Sequence, residues 1–157
     1  SKIKEHVKDT IWVGAGTVMT PEQVRQAVEV GAKYIISPNV DEDVINETKK
    51  LGKVSIPGAL TSTEAAFAYK CGADIIKLFP AGVLGADYVK AVKAPLKHIP
   101  VIAVGSVNPK NCADFLKAGA VGVGVGGNLV SAELVNEGRL DEITVVAKKY
   151  MEALRAW

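Results

Sequence analysis

The chain has 157 residues, of which 48% are apolar, 23% are charged and 6% are aromatic, and its formal net charge is +2. This length and apolar content predict one ordinary domain over residues 1–157 and argue against a disordered chain. The balance of basic and acidic side chains gives no electrostatic footprint for nucleic acid or for a membrane surface. No apolar run approaches the length of a membrane span, and residues 1–9 lack a signal-peptide pattern, so we expect a soluble cytoplasmic protein.

The two cysteines and two histidines of the chain predict neither a disulfide nor a metal site. Cys71 and Cys112 show no CxxC spacing and no neighbouring cluster of histidines, and we interpret both as packing residues. His6 and His98 lie in polar surroundings and are expected at the surface. No bound metal is therefore expected.

Glycines recur along the chain with a regular period. Gly31, Gly52 and Gly72 stand 20 or 21 residues apart, and Gly119 follows later. Each is predicted to end an amphipathic helix and to precede a short apolar strand. The six predicted strands cover residues 11–13, 34–36, 54–56, 74–79, 101–104 and 121–125. Short apolar strands alternating with helices are typical of a parallel sheet covered on both faces.

The predicted helices have recognisable starts. Thr20 to Gln23 places a cap, a proline and a capping-box glutamine in order, and Thr61 to Glu64 is a second capping box. Asn108-Pro109 predicts a third start of the same kind. One helix is expected over residues 1–9, before the first strand, and the last helix is expected from Leu140 to about Leu154.

Six strands leave the architecture open. A closed (β/α)₈ barrel needs eight strands and commonly about 200 residues or more, whereas an open, flavodoxin-like sheet is complete with five or six. Length alone favours the open sheet. A third possibility is a barrel completed by self-association of two chains.

Lys77 is the first candidate for chemistry, because it interrupts the apolar strand around Ile75 to Phe79. Burial there would lower its pKa and free the amine as a nucleophile. An ordinary lysine, with a pKa of about 10.4, is less than about 0.1% neutral at pH 7. The alternative interpretation is a lysine that extends to solvent or pairs with a carboxylate.

Two glycine-rich segments follow the last two predicted strands, at residues 105–108 and 122–128. Bare backbone amides approach an oxyanion closely, and in parallel barrels the corresponding loops frequently bind phosphate. The alternative is that these glycines only relieve packing. Thr17, after the first predicted strand, carries a hydroxyl that suits either a small carboxylate or the cap of a turn.

Five segments, taken in order, resemble the 2-keto-3-deoxy-6-phosphogluconate (KDPG) aldolase family, which includes 4-hydroxy-2-oxoglutarate (KHG) and 6-phosphogalactonate aldolases. They are residues 13–18, 36–38, 56–58, 76–81 and 104–107. The resemblance covers essentially the whole chain. Its most specific part is the run Lys-Leu-Phe-Pro-Ala at residues 77–81.

The resemblance implies a class I aldolase that cleaves a 2-keto-3-deoxy-6-phospho sugar acid to pyruvate and glyceraldehyde 3-phosphate, with no cofactor besides the imine on the enzyme. Lys77 would form that imine with the ketone carbon of pyruvate. Thr17 would bind the pyruvate carboxylate, and Pro38 and Phe79 would line the pyruvyl pocket. The distal phosphate would be cradled by Gly105, Ser106, Gly126 and Gly127.

Aligned with this family, the chain is expected to be a (β/α) TIM-barrel type domain with six of the eight strands, the third to the eighth. Nothing in residues 1–10 matches the glutamate and the arginine of the family's second strand. Since that glutamate is the general acid/base, we expect imine formation with weak or no turnover. The edge strands left without neighbours predict a homo-oligomer, which in this family is a trimer.

Two departures from the family pattern leave the substrate open. Val104 replaces a threonine found in many members, and Ser106 replaces the second glycine of a pair. The resulting Ala-Val-Gly pattern is similar to that of relatives acting on galactonate-type substrates. A different class of function also remains: a phosphosugar-binding or anion-binding protein, or a scaffold, that keeps the glycine-rich cradle without catalysis.

Overall fold

The computed structural model describes residues 11–155 of the chain. The described residues divide into two compact units: residues 11–77 with 98–100 form unit 1, and residues 78–97 with 101–155 form unit 2. The helix predicted over residues 1–9 lies outside the described residues. Within residues 11–155 no helix has both the length and the apolar character to cross a membrane.

Helices and strands alternate along unit 1, as the glycine period predicts. The elements are α1 (Pro21–Glu29), β1 (Tyr34–Ile36), α2 (Glu42–Lys50), β2 (Val54–Ile56), β3 (Gly58–Ala59), α3 (Ser62–Lys70) and β4 (Ile76–Leu78), whose final residue belongs to unit 2. β1 and β2 pair in parallel, with Ile35 opposite Ser55. The Lys77 N–H donates to the Pro57 carbonyl oxygen at 2.9 Å. The parallel arrangement expected from short apolar strands is thus confirmed in this unit.

A small apolar core joins the first elements of unit 1. It is formed by Val18, Val24, Ala32, Ile35 and Val44, each at most 6% exposed. One buried face of α1 and one of α2 supply two of these residues, as the amphipathic pattern requires. This core fixes the strands whose carboxyl ends carry the candidate residues described below.

Two of the predicted helix starts are confirmed. Thr20 Oγ1 accepts from the Gln23 N–H at 3.2 Å, and Gln23 Oε1 accepts from the Met19 N–H at 2.7 Å. Thr61 and Glu64 form a complete capping box, with Glu64 Oε2 accepting from the Thr61 N–H at 2.7 Å. This bond from the Thr61 backbone is the main reason that the pKa of Glu64 lies below its usual range.

The four periodic glycines occupy the positions predicted for them, directly after helices. Gly31, Gly52, Gly72 and Gly119 adopt φ values of 100°, 67°, 100° and 103°. Only glycine enters this left-handed region without strain, which explains why the same residue type ends each helix.

The prediction of a first strand over residues 11–13 is wrong. In its place Ala15 alone makes a parallel bridge to Ile35 of β1, using both its N–H and its carbonyl oxygen. Ile11 and Trp12 are 57% and 68% exposed, so two of the three apolar side chains that suggested a buried strand face solvent. Thr17 adopts a left-handed φ of 58°, which ends the extended backbone two residues later.

Unit 2 continues the alternation of helices and parallel strands. Its elements are α4 (Ala81–Lys93), β5 (Val101–Val104), α5 (Cys112–Lys117), β6 (Gly122–Gly124), α6 (Ala132–Asn136) and α7 (Leu140–Arg155). β5 and β6 pair in parallel, with Ala103 opposite Val123. A φ of 81° at Gly85 kinks α4. The last helix matches its prediction, and Tyr150 is its fully buried residue.

The prediction that a helix starts at Asn108-Pro109 is wrong. Asn108 does not cap a helix: its Oδ1 accepts from the Lys110 N–H at 2.9 Å, which closes a local turn. The helix α5 begins at Cys112, with Asn111 at its N-cap. Because Asn108 can bond to the backbone two residues later, the asparagine-proline pair forms a turn instead of a first helical residue.

Candidate functional site

Lys77 lies in the middle of β4, between two fully buried neighbours. Ile76 and Leu78 are both 0% exposed, while Lys77 itself is half-buried. Burial lowers the pKa of the Lys77 ammonium below the ordinary lysine value. A larger fraction of this amine is therefore neutral at a given pH than for an exposed lysine.

Thr17 and Pro38, the other candidate residues of unit 1, follow the carboxyl ends of neighbouring extended segments. Thr17 is exposed and stands two residues after Ala15, which bridges to β1, and Pro38 is half-buried, two residues after β1 ends. β1 pairs in parallel with β2, and the Lys77 N–H bonds to Pro57, the residue after β2. The register therefore places Lys77, Thr17 and Pro38 at the carboxyl end of the strands of this unit. Ligands bind at this end of the strands in parallel α/β folds.

Unit 2 contains a cavity of about 300 Å³. It is lined by Phe79, Val104, Gly105, Ser106, Val107, Gly124, Gly126, Gly127 and Asn128. The structure thus brings together all five residues of unit 2 that the sequence predicted for substrate binding. Val104, Val107, Gly124 and Asn128 were not predicted as site residues. The glycine-rich segments around them predicted that this region binds a ligand, but they did not single out these four residues.

The loops after β5 and β6 both line this cavity. Gly105 and Ser106 adopt φ values of 93° and 53°, so two successive residues are left-handed. Within the part of the chain that the structure describes, the N–H groups of Ser106, Val107, Gly126 and Gly127 donate to no other group. Unpaired amides on glycine-rich turns form a natural binding site for an oxyanion.

The beginning of α4 lies very close to this loop. The Gly82 N–H donates to the Gly105 carbonyl oxygen at 2.8 Å. A Cβ atom at Gly82 would overlap that oxygen and would stand 2.7 Å from Ser106 Cβ. The close approach of helix and loop therefore requires glycine at this position.

The remaining polar clusters do not form a metal site. No group of three or more His, Cys, Asp or Glu side chains within residues 11–155 is arranged to hold a metal ion. Cys112 is buried, Cys71 is partly buried, and His98 is exposed. His6 lies outside the described residues. Lys49 pairs with Asp74 at 2.6 Å on the surface of unit 1.

Comparisons of sequence identify relatives over nearly the whole chain. The family model for KDPG and KHG aldolase matches residues 1–146. The 2-dehydro-3-deoxy-6-phosphogalactonate aldolase of Escherichia coli is 38% identical over 94% of this chain and 72% of its own length. The KHG/KDPG aldolase of the same organism is 31% identical over 98% of this chain and 72% of its own.

Comparisons of structure agree. A native KDPGal structure superposes with a TM-score of 0.87 at 37% identity, covering 98% of this chain and 75% of that one. A KDPG aldolase from Legionella pneumophila, captured with pyruvate as a covalent carbinolamine intermediate, superposes with a TM-score of 0.84 at 27% identity, covering 92% and 70%. These matches confirm the predicted fold class, a parallel α/β chain of the (β/α) TIM-barrel type.

Proposed function

We propose that this chain, which belongs to the KDPG and KHG aldolase family, cleaves a 2-keto-3-deoxy-6-phospho sugar acid to pyruvate and glyceraldehyde 3-phosphate through an imine on Lys77. Members of this family are carbon-carbon lyases, and the relatives described above are aldolases. The single observation that carries the proposal is Lys77 in a buried apolar strand with its pKa lowered by that burial.

The chemistry assigned to Lys77 proceeds in three steps. Its neutral amine attacks the C2 ketone of the substrate to give a carbinolamine, which loses water to form a protonated imine. The C3–C4 bond then breaks, its electron pair moves into the imine to give an enamine, and the C4 hydroxyl loses its proton to a water molecule as the aldehyde forms. Protonation of the enamine and hydrolysis release pyruvate and regenerate the amine.

The Legionella relative holds pyruvate as a carbinolamine, which is the intermediate through which the imine is hydrolysed in the last step. In the same scheme Thr17 binds the carboxylate of the keto acid, and Pro38 and Phe79 contact its pyruvyl part. No metal enters the scheme, because the protonated imine accepts the electron pair. These roles follow the family pattern at matching positions.

The cavity in unit 2 is assigned to the phosphate of the substrate. The amides of Ser106, Val107, Gly126 and Gly127 are the donors available to its oxygens. Backbone donors recognise a phosphate without needing a basic side chain, in keeping with a chain whose net charge is only +2.

The galactonate configuration is the substrate that we propose within this class. The 6-phosphogalactonate aldolase of Escherichia coli is 38% identical over 148 residues, and a probable one of Rhizobium meliloti is 41% identical over 118 residues. The KHG/KDPG aldolase of Escherichia coli and the phosphogluconate aldolase of Dickeya dadantii are 31% and 33% identical. Val104 and Ser106, which depart from the gluconate-type pattern, both line the cavity. The difference between the two sugar acids is the configuration of one hydroxyl, so the lining of the site decides between them.

A single-turnover assay with enzyme in excess measures this preference even when the rate is low. We expect 2-keto-3-deoxy-6-phosphogalactonate to release pyruvate about tenfold faster than the gluconate epimer, as expected when a site is built around one hydroxyl configuration. The Lys77→Met variant serves as the blank. Equal rates, or a faster gluconate epimer, would contradict the substrate assignment. Release of pyruvate by the Lys77→Met variant would contradict the imine mechanism.

A binding protein without catalysis is the second candidate function. It is favoured by one observation: the cavity with the amides of Ser106, Val107, Gly126 and Gly127 lies entirely within unit 2 and is not lined by Lys77. On this alternative, phosphorylated sugar acids bind and no imine forms. Borohydride treatment in the presence of pyruvate separates the two candidates, because only the aldolase acquires a covalent adduct.

We also propose that the chain acts as a homo-oligomer, a trimer by the family pattern. A designed cage assembled from fused symmetric oligomeric domains contains a chain that is 37% identical to this one, with a TM-score of 0.88. Sedimentation equilibrium is expected to give a multiple of the 16.5 kDa chain mass. A single species with the mass of one chain would contradict this expectation.

A further inference from the structure

Side chains that do not line the cavity of unit 2 hold the loop that follows β5. Asn111 donates from Nδ2 to the Ser106 carbonyl oxygen at 3.2 Å, and its Oδ1 accepts from the Asn108 N–H at 2.8 Å. The Tyr150 hydroxyl donates to the Val107 carbonyl oxygen at 2.9 Å. Neither Asn111 nor Tyr150 is among the described residues that line the cavity. Both bond to the loop without lining the cavity.

Tyr150 reaches this loop from a distant part of the chain. It lies on α7, 43 residues after Val107, and only 5% of it is exposed. The same Val107 carbonyl oxygen also accepts from Asn128 Nδ2 at 2.8 Å. Burial raises the pKa of Tyr150, so its hydroxyl remains protonated, and a donor, throughout the neutral range. Two donors from separate segments therefore fix one carbonyl group.

Fixing these carbonyls also fixes the neighbouring amides. In a planar trans peptide the C=O points opposite to the N–H of the next residue. The bond from Asn111 to the Ser106 carbonyl thus sets the direction of the Val107 N–H, one of the unpaired amides at the cavity. The bonds to the Val107 carbonyl hold the following peptide plane. Ser106, with its φ of 53°, has a backbone conformation that persists only where the surroundings impose it.

We propose that Tyr150 and Asn111 are positioning residues for anion binding, which hold the Ser106 and Val107 carbonyls so that the loop amides keep the orientation that a phosphate needs. This inference rests on the proposed function, because it takes the cavity to be the site of the substrate's phosphate. Preorganised donors bind better than donors that must be ordered by the ligand. Through one hydroxyl group, α7 contributes to the phosphate site without touching the phosphate.

Tyr150→Phe tests this role, since it removes the hydroxyl and keeps the ring. With inorganic phosphate as the probe and ionic strength held constant, we expect Kd to rise about three- to tenfold, the effect of losing one net hydrogen bond. Amide hydrogen exchange at Asn108, whose N–H shares a peptide plane with the Val107 carbonyl and donates to Asn111 Oδ1, should also become faster in the variant without phosphate. Trapping of pyruvate on Lys77 by borohydride should be unchanged. Tyr69→Phe, a matched change at an exposed tyrosine of unit 1, should leave Kd unchanged.

Each outcome decides the inference. An unchanged Kd in folded Tyr150→Phe overturns it. If Tyr150→Phe loses pyruvate trapping together with phosphate affinity, the tyrosine supports the whole fold, and a specific positioning role is overturned. If the wild-type chain traps pyruvate on Lys77 but does not bind inorganic phosphate, the phosphate assignment of the proposed function fails, and the positioning role fails with it. The two failures are therefore distinguishable.

Discussion

The Lys77→Met variant is expected to form no covalent adduct when it is treated with pyruvate and borohydride, whereas the wild-type chain gains the mass of one reduced pyruvate. Methionine keeps an unbranched side chain of similar size in β4 and removes the amine. Because burial lowers the pKa of Lys77, this amine is the nucleophile that the proposed imine requires. Intact-mass spectrometry of both proteins after reduction measures the outcome, which is all or none.

Lys93→Met is the matched control, because burial also lowers the pKa of Lys93. Its ammonium donates to the carbonyl oxygens of Leu96 and Lys97, both at 3.2 Å, and it lies on α4, not on a strand. The Lys93→Met variant should form the same adduct as the wild-type chain. An adduct that persists in Lys77→Met but disappears in Lys93→Met would show that Lys93 forms the imine, and it would contradict the role proposed for Lys77.

Gly82→Ala is expected to destabilise the protein by about 1–3 kcal/mol, the usual effect of overpacking a close contact. In an ordinary helix the same change would stabilise by up to about 1 kcal/mol, so the sign of the effect identifies its cause. The new Cβ would overlap the Gly105 carbonyl oxygen and press on Ser106. Since both residues line the cavity that we propose to bind phosphate, we also expect the affinity for inorganic phosphate to fall at least about tenfold.

Chemical denaturation and calorimetric titration with phosphate measure these two effects. Gly122→Ala is the control in the same unit, because its Cβ would stand 3.4 Å from Ile102 Cγ2, and Gly122 does not line the cavity. The control should leave phosphate affinity unchanged. A Gly82→Ala variant that is more stable than the wild-type chain would show that α4 and the loop are not in close contact.

Local sequence signals predicted the features that depend on neighbouring residues. The capping box of Thr61 and Glu64 is complete in the structure, and the four periodic glycines end helices with a positive φ. A charged residue within an apolar strand singled out Lys77, and its half-buried position accords with that prediction. In each case the interaction that decides the structure lies within a few residues of the chain.

Other features depended on contacts that the sequence does not reveal. The apolar residues Ile11 and Trp12 suggested a strand, but they are 57% and 68% exposed, because hydrophobicity alone does not show which side chains find a partner. The two-residue strand β3 is too short to leave a pattern. Asn108 formed a turn with Lys110 where a helix cap was expected, since the same side chain satisfies either structure.

The support behind the candidate phosphate site is the clearest case of a feature beyond sequence reasoning. The family resemblance implied five lining residues of unit 2, and four of them also lie in recognisable glycine-rich segments. Tyr150 falls within the predicted last helix, and nothing in the sequence pointed to a role for it. Its bond to Val107 spans 43 residues, and no local pattern distinguishes a tyrosine with such a partner from one that merely packs.

Peptide mapping of the wild-type chain after borohydride reduction with pyruvate, repeated over a series of pH values, tests most directly whether Lys77 is a nucleophile made available by burial. We predict that the adduct lies on the peptide containing Lys77. Its yield should rise with pH around a midpoint below 10.5, the ordinary value for lysine, because the lowered pKa leaves more neutral amine at each pH. An adduct on another lysine, a midpoint at or above the ordinary value, or no adduct on the folded protein would contradict the proposed mechanism.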